Sequence, residues 1–387
     1  MEEKELNEEF LKKKFAEYYA RTELFVPQEM EKREFGFGSG TRKIETRHAA
    51  FESAGQLKSY LVRNAPLYIS YSTAYYEFPA ARPMQKKIWS GADLIFDLDA
   101  HPTKPCPKPH PEGWSCEHCL GAIKNDALRL LEEFLIPDFG VSKNEVIVNF
   151  SGSRGYHVHV LRKEARKMSS EARREVMDYI SGTGLHEDSL FRFEAVENPR
   201  MKPKLFGPTL KDTGWRGKIA KMVCNEEASS RVLQEVMGSR FKRKQGRISE
   251  FVAGVSRGNW DVISLSREEQ KKLIGEVVNK ARIELGDRTD QNVTIDTSKL
   301  IRLPESLHGS TGLIAKRTVN LSSFDPLRDA LAFGKQPISI NINGAPEFQL
   351  GGETFGPYGA GKVELPEFAV VFLACKKVLG LLIRTKT

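Results

Sequence analysis

Residues 93–99 read Asp93-Leu94-Ile95-Phe96-Asp97-Leu98-Asp99, and this short apolar run, alternating at its end, predicts the strongest strand of the chain. In an extended backbone Asp97 and Asp99 project from one face while Phe96 and Leu98 take the other. Two carboxylates held that close repel unless a cation lies between them. The apolar flank buries the strand, which favours a ligand over a solvated strand end. Hard divalent ions such as Mg²⁺ or Mn²⁺ take carboxylate oxygens, and a pair of them can clamp the attacking and leaving oxygens of a phosphoryl transfer.

Directly downstream, residues 100–114 hold five prolines and two histidines, a composition that excludes regular structure. Cys106, His110, Cys116 and Cys119 follow the pattern C-x3-H-x5-C-x2-C. Four such ligands satisfy tetrahedral Zn²⁺ and leave no position for water, so a structural site is expected. His101 and His118 lie nearby, which leaves the nitrogen ligand open. The chain has five cysteines, an odd number with three clustered, which points to a metal site rather than a disulfide framework. Cys224 and Cys375 are expected to be ordinary buried thiols.

Further on, Glu145 to Phe150 and Tyr156 to Leu161 predict two strands joined by Ser151-Gly152-Ser153-Arg154-Gly155. The connection offers free backbone N–H groups, two hydroxyls and a guanidinium suited to bidentate phosphate contact, with His157 at the head of the second strand. His157 and His159 share one face. The spacing also predicts helices over Glu3 to Tyr19, Ala122 to Phe134, Ser170 to Ile180 and Arg267 to Leu285. Val293-Thr294-Ile295-Asp296 alternates like a strand, ending on a third carboxylate. Arg302 and His308 follow in Leu300-Ile301-Arg302-Leu303-Pro304-Glu305-Ser306-Leu307-His308-Gly309.

The 387 residues suggest two or three domains, and the net charge of +8 is unevenly spread. Between Arg200 and Arg247 there are 13 Lys+Arg against four Asp+Glu, so one segment carries the basicity and could contact a phosphate backbone. The longest apolar stretch, Phe368 to Cys375, is far short of a membrane span. The N-terminus mixes both charge signs without the order of a secretory signal. A cytoplasmic protein, without a membrane, is expected.

The order of these motifs resembles that of the catalytic small subunit of archaeal and eukaryotic-type DNA primases. The resemblance rests on the Asp97 and Asp99 pair, on Ser151 to Val160, and on Asp296 with Ile301 to Gly312; Arg33 to Phe37, the Cys/His loop and Arg166 to Ile180 agree less specifically. It implies an α/β fold: a catalytic domain with a mixed, RRM-related sheet, an inserted zinc knuckle and a helical subdomain. Residues 1–184 and 286–387 would form the catalytic domain, with the knuckle at about 101–122, and 185–285 a mainly helical basic insertion. By resemblance, Asp97, Asp99 and Asp296 hold the catalytic Mg²⁺ or Mn²⁺. Ser151, Arg154, His157, Arg302 and His308 surround the phosphates of the incoming nucleotide, with Arg33 close by.

The implied activity is a DNA-directed RNA polymerase-type nucleotidyl transfer that makes short RNA, or also DNA, primers from nucleoside triphosphates on a single-stranded DNA template. The implied partner is a large subunit carrying an iron–sulfur cluster, for which this chain lacks four spare cysteines. An archaeal source would place the protein at the nucleoid. Two rival readings of the same residues are a metal-dependent phosphohydrolase and a non-catalytic zinc-bearing nucleic-acid-binding subunit.

Overall fold

The computed structural model describes residues 2–40, 42–99, 106, 110–111, 113–195, 202–282 and 291–382. Of the loop expected at about 101–122, residues 101–105, 107–109 and 112 lie outside the described residues, as does the boundary expected at 285–286. The chain divides into two units, one of Met1–Leu128, Ser142–Arg174 and Thr289–Thr387, the other of Arg129–Val141 and Glu175–Arg288.

The first unit mixes helices with several small sheets. Its strands begin with β1 (Phe35–Gly38), β2 (Thr46–Ala49), β3 (Tyr68–Ser72), β4 (Ala74–Tyr76), β5 (Trp89–Ala92) and β6 (Leu94–Asp99). They continue with β7 (Val146–Phe150), β8 (Gly155–Val160), β9 (Leu300–Arg302), β10 (Arg317–Thr318), β11 (Pro337–Ile342), β12 (Gly361–Pro366) and β13 (Leu379–Leu382). One four-stranded sheet has the order β9-β3-β1-β2, a second β10-β7-β8-β6, and a three-stranded sheet β12-β11-β13.

In the second sheet the register sets Asp97 opposite His157 and Asn149 opposite His157 on the other side. Directly paired residues share a face, so one face carries Asp97, Asp99, Asn149, His157 and His159. The other face carries Phe96, Leu98, Phe150, Tyr156 and Val158, all buried. Burial of that apolar face holds the sheet in the core, and the opposite face is thereby free to carry polar groups.

β6 is the edge of its sheet, and carbonyls along it and just ahead of it find partners elsewhere. Thr294 Oγ1 donates to the Ile95 carbonyl at 2.7 Å, and the buried Arg173 guanidinium donates to the carbonyls of Ala92 and Asp93 at 2.6 and 2.9 Å. These bonds cover an edge that would otherwise be costly to bury. The run Phe368 to Cys375 lies in the helix Glu367–Cys375, with every one of its residues buried. It is a core helix, in keeping with its length.

Three expectations need correction. Residues 293–295 belong to a short helix, Gln291–Ile295, and Asp296 follows a helix instead of ending a strand. Val293 and Thr294 are buried there, so packing beside β6 overrides the β-type preference of the sequence. The helix expected from Ala122 starts earlier, at Glu117, and passes at Leu130 into a π-helical turn reaching Leu135. A mixed sheet was expected, whereas all strand pairs among the described residues are antiparallel. The tight β7–β8 connection permits only that pairing.

The second unit is mainly helical, with one antiparallel strand pair, Arg192–Glu194 and Lys204–Phe206. Gly214–Val223, Glu226–Met237, Ile248–Val255 and Arg267–Arg282 enclose a core that includes Ile219, Leu233, Phe251, Trp260, Leu273 and Val277. Asn225 caps the second of these helices by accepting from the Ala228 N–H at 3.0 Å. Trp260 is fully buried, and its indole N–H donates to the Pro208 carbonyl at 2.9 Å.

Candidate active site

The β7–β8 hairpin is shaped by two glycines. A Cβ on Gly155 would lie 2.2 Å from the Leu98 carbonyl oxygen and 2.3 Å from Asp99 Oδ1, so only glycine lets β8 approach the two aspartates. Gly152 has φ +83° and faces the His308 Cβ. Ser151 organises the loop: its N–H donates to the Gly155 carbonyl at 2.8 Å, and its Oγ accepts from the Gly155 N–H at 3.1 Å. Thr311 Oγ1 donates to the Gly152 carbonyl, which ties this loop to the one carrying His308.

These elements surround a cavity of about 480 Å³. Asp97, Asp99, Ser151, Ser153, Arg154, His157, Arg302 and His308 line it, together with Lys43, Lys376 and Lys377. Five cationic side chains thus face two carboxylates. Residues far apart in the chain, from 43 to 377, meet here, as a site for a polyanion and a divalent cation requires.

Both cavity histidines are neutral, and their tautomers follow from their partners. Asn149 Nδ2 lies 3.3 Å from His157 Nδ1 and donates to it, which leaves Nε2–H facing Asp97 Oδ1 at 3.4 Å. The Ser310 N–H donates to His308 Nδ1 at 3.3 Å, so Nε2–H is the donor that His308 keeps. Burial depresses both imidazoles well below the ordinary value, with His159 and then Arg302 adding to it at His157 and Arg302 and then Lys43 at His308. Burial also pulls Arg302 down to about 10, which leaves it charged at neutral pH. One of its N–H groups donates to the Ile69 carbonyl at 3.3 Å, and the guanidinium lies over the Tyr68 ring at 5.1 Å. Arg154 Nε is 3.7 Å from Asp99 Oδ2, with both side chains partly exposed.

Two expected residues are engaged differently. Asp296 is exposed and does not line the cavity; its Oδ1 accepts from the Ser298 N–H at 2.8 Å and the Ser298 hydroxyl at 2.7 Å. Arg33 is buried and pairs with Asp93 at 2.6 Å, spends three further bonds on the carbonyls of Gln28, Ser72 and Thr73, and stacks on Tyr75. No sequence motif marks three further cavity residues, Lys43, Lys376 and Lys377. The last two stand out only as the end of an apolar run.

Cys106, His110, Cys116 and Cys119 form a second centre. Their four ligand atoms lie within 4.8 Å of one another and could hold a metal ion. The Cys106 and Cys116 sulfurs are 3.4 Å apart, as are His110 Nε2 and Cys119 Sγ, near the ~3.8 Å edge of a tetrahedron built on a Zn–S distance of about 2.3 Å. His118 is exposed on the helix Glu117–Arg129 and outside the cluster. Burial, followed by the neighbouring thiols, pushes the Cys119 thiol up to about 12; a bound cation is what would favour its thiolate.

A family model described as DNA primase small subunit matches residues 96–319. The DNA primase small subunit PriS of Methanothrix thermoacetophila is 36% identical to this chain, over 95% of it and 97% of the relative. That of Methanosarcina acetivorans is 32% identical over 96% and 95%, and that of Archaeoglobus fulgidus 33% over 95% and 96%.

Proposed function

The chain belongs to the DNA primase small-subunit family and is the catalytic subunit of a DNA primase; from that premise we propose how its cavity makes primers. The reading is carried by one observation, the meeting of Asp97 and Asp99 with Arg154, Arg302, His157 and His308 around a single cavity. The reaction is nucleotidyl transfer: a primer or initiating nucleotide 3′-hydroxyl attacks the α-phosphorus of a nucleoside triphosphate, directed by a single-stranded DNA template, and pyrophosphate leaves.

Asp97 and Asp99 offer hard oxygen donors from one face of β6, the donor type that Mg²⁺ and Mn²⁺ take. Two such cations, when bound, lower the pKa of the attacking hydroxyl and neutralise charge on the triphosphate and on the departing pyrophosphate. Asp296 is the third carboxylate in this reading, and reaching the cavity requires it to give up its two bonds from Ser298. Arg154 and Arg302 supply charge to the phosphates. The neutral Nε2–H groups of His157 and His308 donate without competing for the metal, and Ser151 shapes the loop that presents them. No covalent intermediate is needed.

In the same reading the Cys/His cluster is a structural zinc knuckle. Residues 1–184 and 286–387 form the catalytic, RRM-related domain, and 185–285 a basic helical insertion. A large subunit completes the enzyme. No helix among the described residues is long and apolar enough to cross a membrane.

The test is primer extension and primer synthesis by Asp97→Asn and Asp99→Asn proteins. Template-dependent incorporation is expected to vanish while the melting temperature stays within a few degrees of wild type. Extension at the wild-type rate by Asp97→Asn removes the metal assignment, and phosphate release without polymer turns the reading toward a hydrolase.

A further inference from the structure

Lys376 follows the helix Glu367–Cys375 and reaches the cavity from the side of the Cys/His cluster. Its ammonium donates to the Gly113 carbonyl and lies 5.5 Å from the Trp114 ring and 5.1 Å from the Phe372 ring. Trp114 itself packs against both Phe348 and Phe372, at centroid distances of 5.6 and 5.5 Å, and those two rings stack on each other at 5.3 Å. Gly113 and Trp114 belong to the segment between His110 and Cys116, two of the four cluster residues. The side chain of Lys376 is thus fixed by the cluster's own loop.

Among the described residues that placement leaves the charge without an anion. Among the described residues no carboxylate forms an ion pair with Lys376, and only one of the three ammonium N–H groups has an acceptor. Burial pulls its pKa down to about 8, the mark of a cation held in a partly dry place with too little compensation. Its field is felt at His308, where it stands with Arg302 and Lys43 among the charges that disfavour the imidazolium. Lys376 therefore lies on the cationic side of the cavity, beside the groups assigned to the phosphates.

We propose that Lys376 is a further phosphate contact for the nucleoside triphosphate, and that Gly113 and Trp114 position it, so that the loop of the Cys/His cluster bears on nucleotide binding; this rests on the reading of the cavity as the nucleotide site. The ammonium, which pairs with no carboxylate among the described residues, gains an anion when the triphosphate enters. Trp114 also lines the cavity, and its role in this proposal is to position Lys376. The cluster then has a role beyond stiffening its loop, because disorder at Trp114 is transmitted to a cation in the site.

The experiment uses the full chain with its large subunit on a primed single-stranded template. It compares wild type, Lys376→Gln, Lys376→Arg, Trp114→Leu and the double Trp114→Leu/Lys376→Gln. Lys376→Gln is expected to raise the nucleotide KM about tenfold, as for loss of one charge-assisted hydrogen bond, with kcat within about twofold. Lys376→Arg is expected to restore most of the difference. Trp114→Leu should raise KM in the same direction, and the double variant should be no worse than Lys376→Gln alone. Direct binding of a non-hydrolysable nucleoside triphosphate, followed by calorimetry, should weaken in parallel and keeps the result readable if a variant melts early. An unchanged KM and unchanged binding in Lys376→Gln overturn the proposal while Asp97→Asn remains inactive and the cavity reading stands. An Asp97→Asn protein that still extends primers takes down that reading and this contact with it.

Discussion

His159 is 3% exposed, and burial drives its imidazole down to about 4, outweighing the opposite pull of Asp93. A histidine whose folded pKa lies below its unfolded value binds fewer protons folded than unfolded. Its contribution is therefore complete above about pH 6.5 and is lost as pH falls toward 4. Between pH 7 and pH 5 this single group should remove about 2 kcal/mol of stability. His157 and His308 act with the same sign. Melting temperatures of wild type and His159→Gln measured over that range should show the shallower pH dependence in the variant; identical slopes would mean that His159 takes up its proton at the same pH folded as unfolded. At this scale the sequence was readable where a period-two alternation fixes direction: Asp97, Asp99, His157 and His159 could be assigned to faces without coordinates. Arg33 could not. Its partner Asp93 lies 60 residues away, and nothing local distinguishes a guanidinium buried in an ion pair from one awaiting a phosphate.

Elements show the same division between local and non-local information. The Ser151–Gly155 turn was legible because two glycines and a hydroxyl leave few alternatives, and the structure shows why each is needed. The helix Gln291–Ile295 was not, because its β-type residues are placed by the edge of β6, nearly 200 residues earlier. The Cys/His loop is the intermediate case, since ligand spacing is local while Trp114 packs on Phe348 and Phe372, far along the chain. A loop rich in proline and poor in apolar residues needs a cross-link to hold shape, and the four converging ligands can supply it. Metal analysis of the purified chain should find about one Zn²⁺. Cys116→Ser with Cys119→Ser should lose it and lower the melting temperature on the order of 10 °C. Wild type that melts at the same temperature after its metal is stripped as before would leave the cluster without a stabilising role.

On the scale of the whole chain the uneven charge was plain from composition, but its availability was not. Four cations of the segment from Arg200 to Arg247, namely Lys202, Lys218, Arg240 and Arg247, pair with carboxylates outside it, at Asp261, Asp138, Glu269 and Glu250. Arg216 and Arg231 pair with acids within it. The count from sequence therefore overstates the free field of the helical unit. Lys242, Arg243 and Lys244 are different: among the described residues they form no ion pair, and the first two are exposed. If this unit tracks the template backbone, these three should be its principal contacts. Each phosphate neutralised on a single strand adds about 0.7 to the slope of log K against log salt. Changing all three to Gln should thus flatten the salt dependence of single-stranded DNA binding by about 2 in slope and weaken it alike on all sequences. Since the site cations lie in the other unit, extension at saturating template should persist. An unaltered slope in the triple variant would show that the residual positive charge of this segment serves something other than nucleic acid, and a docking face for the large subunit would then be the reading to test.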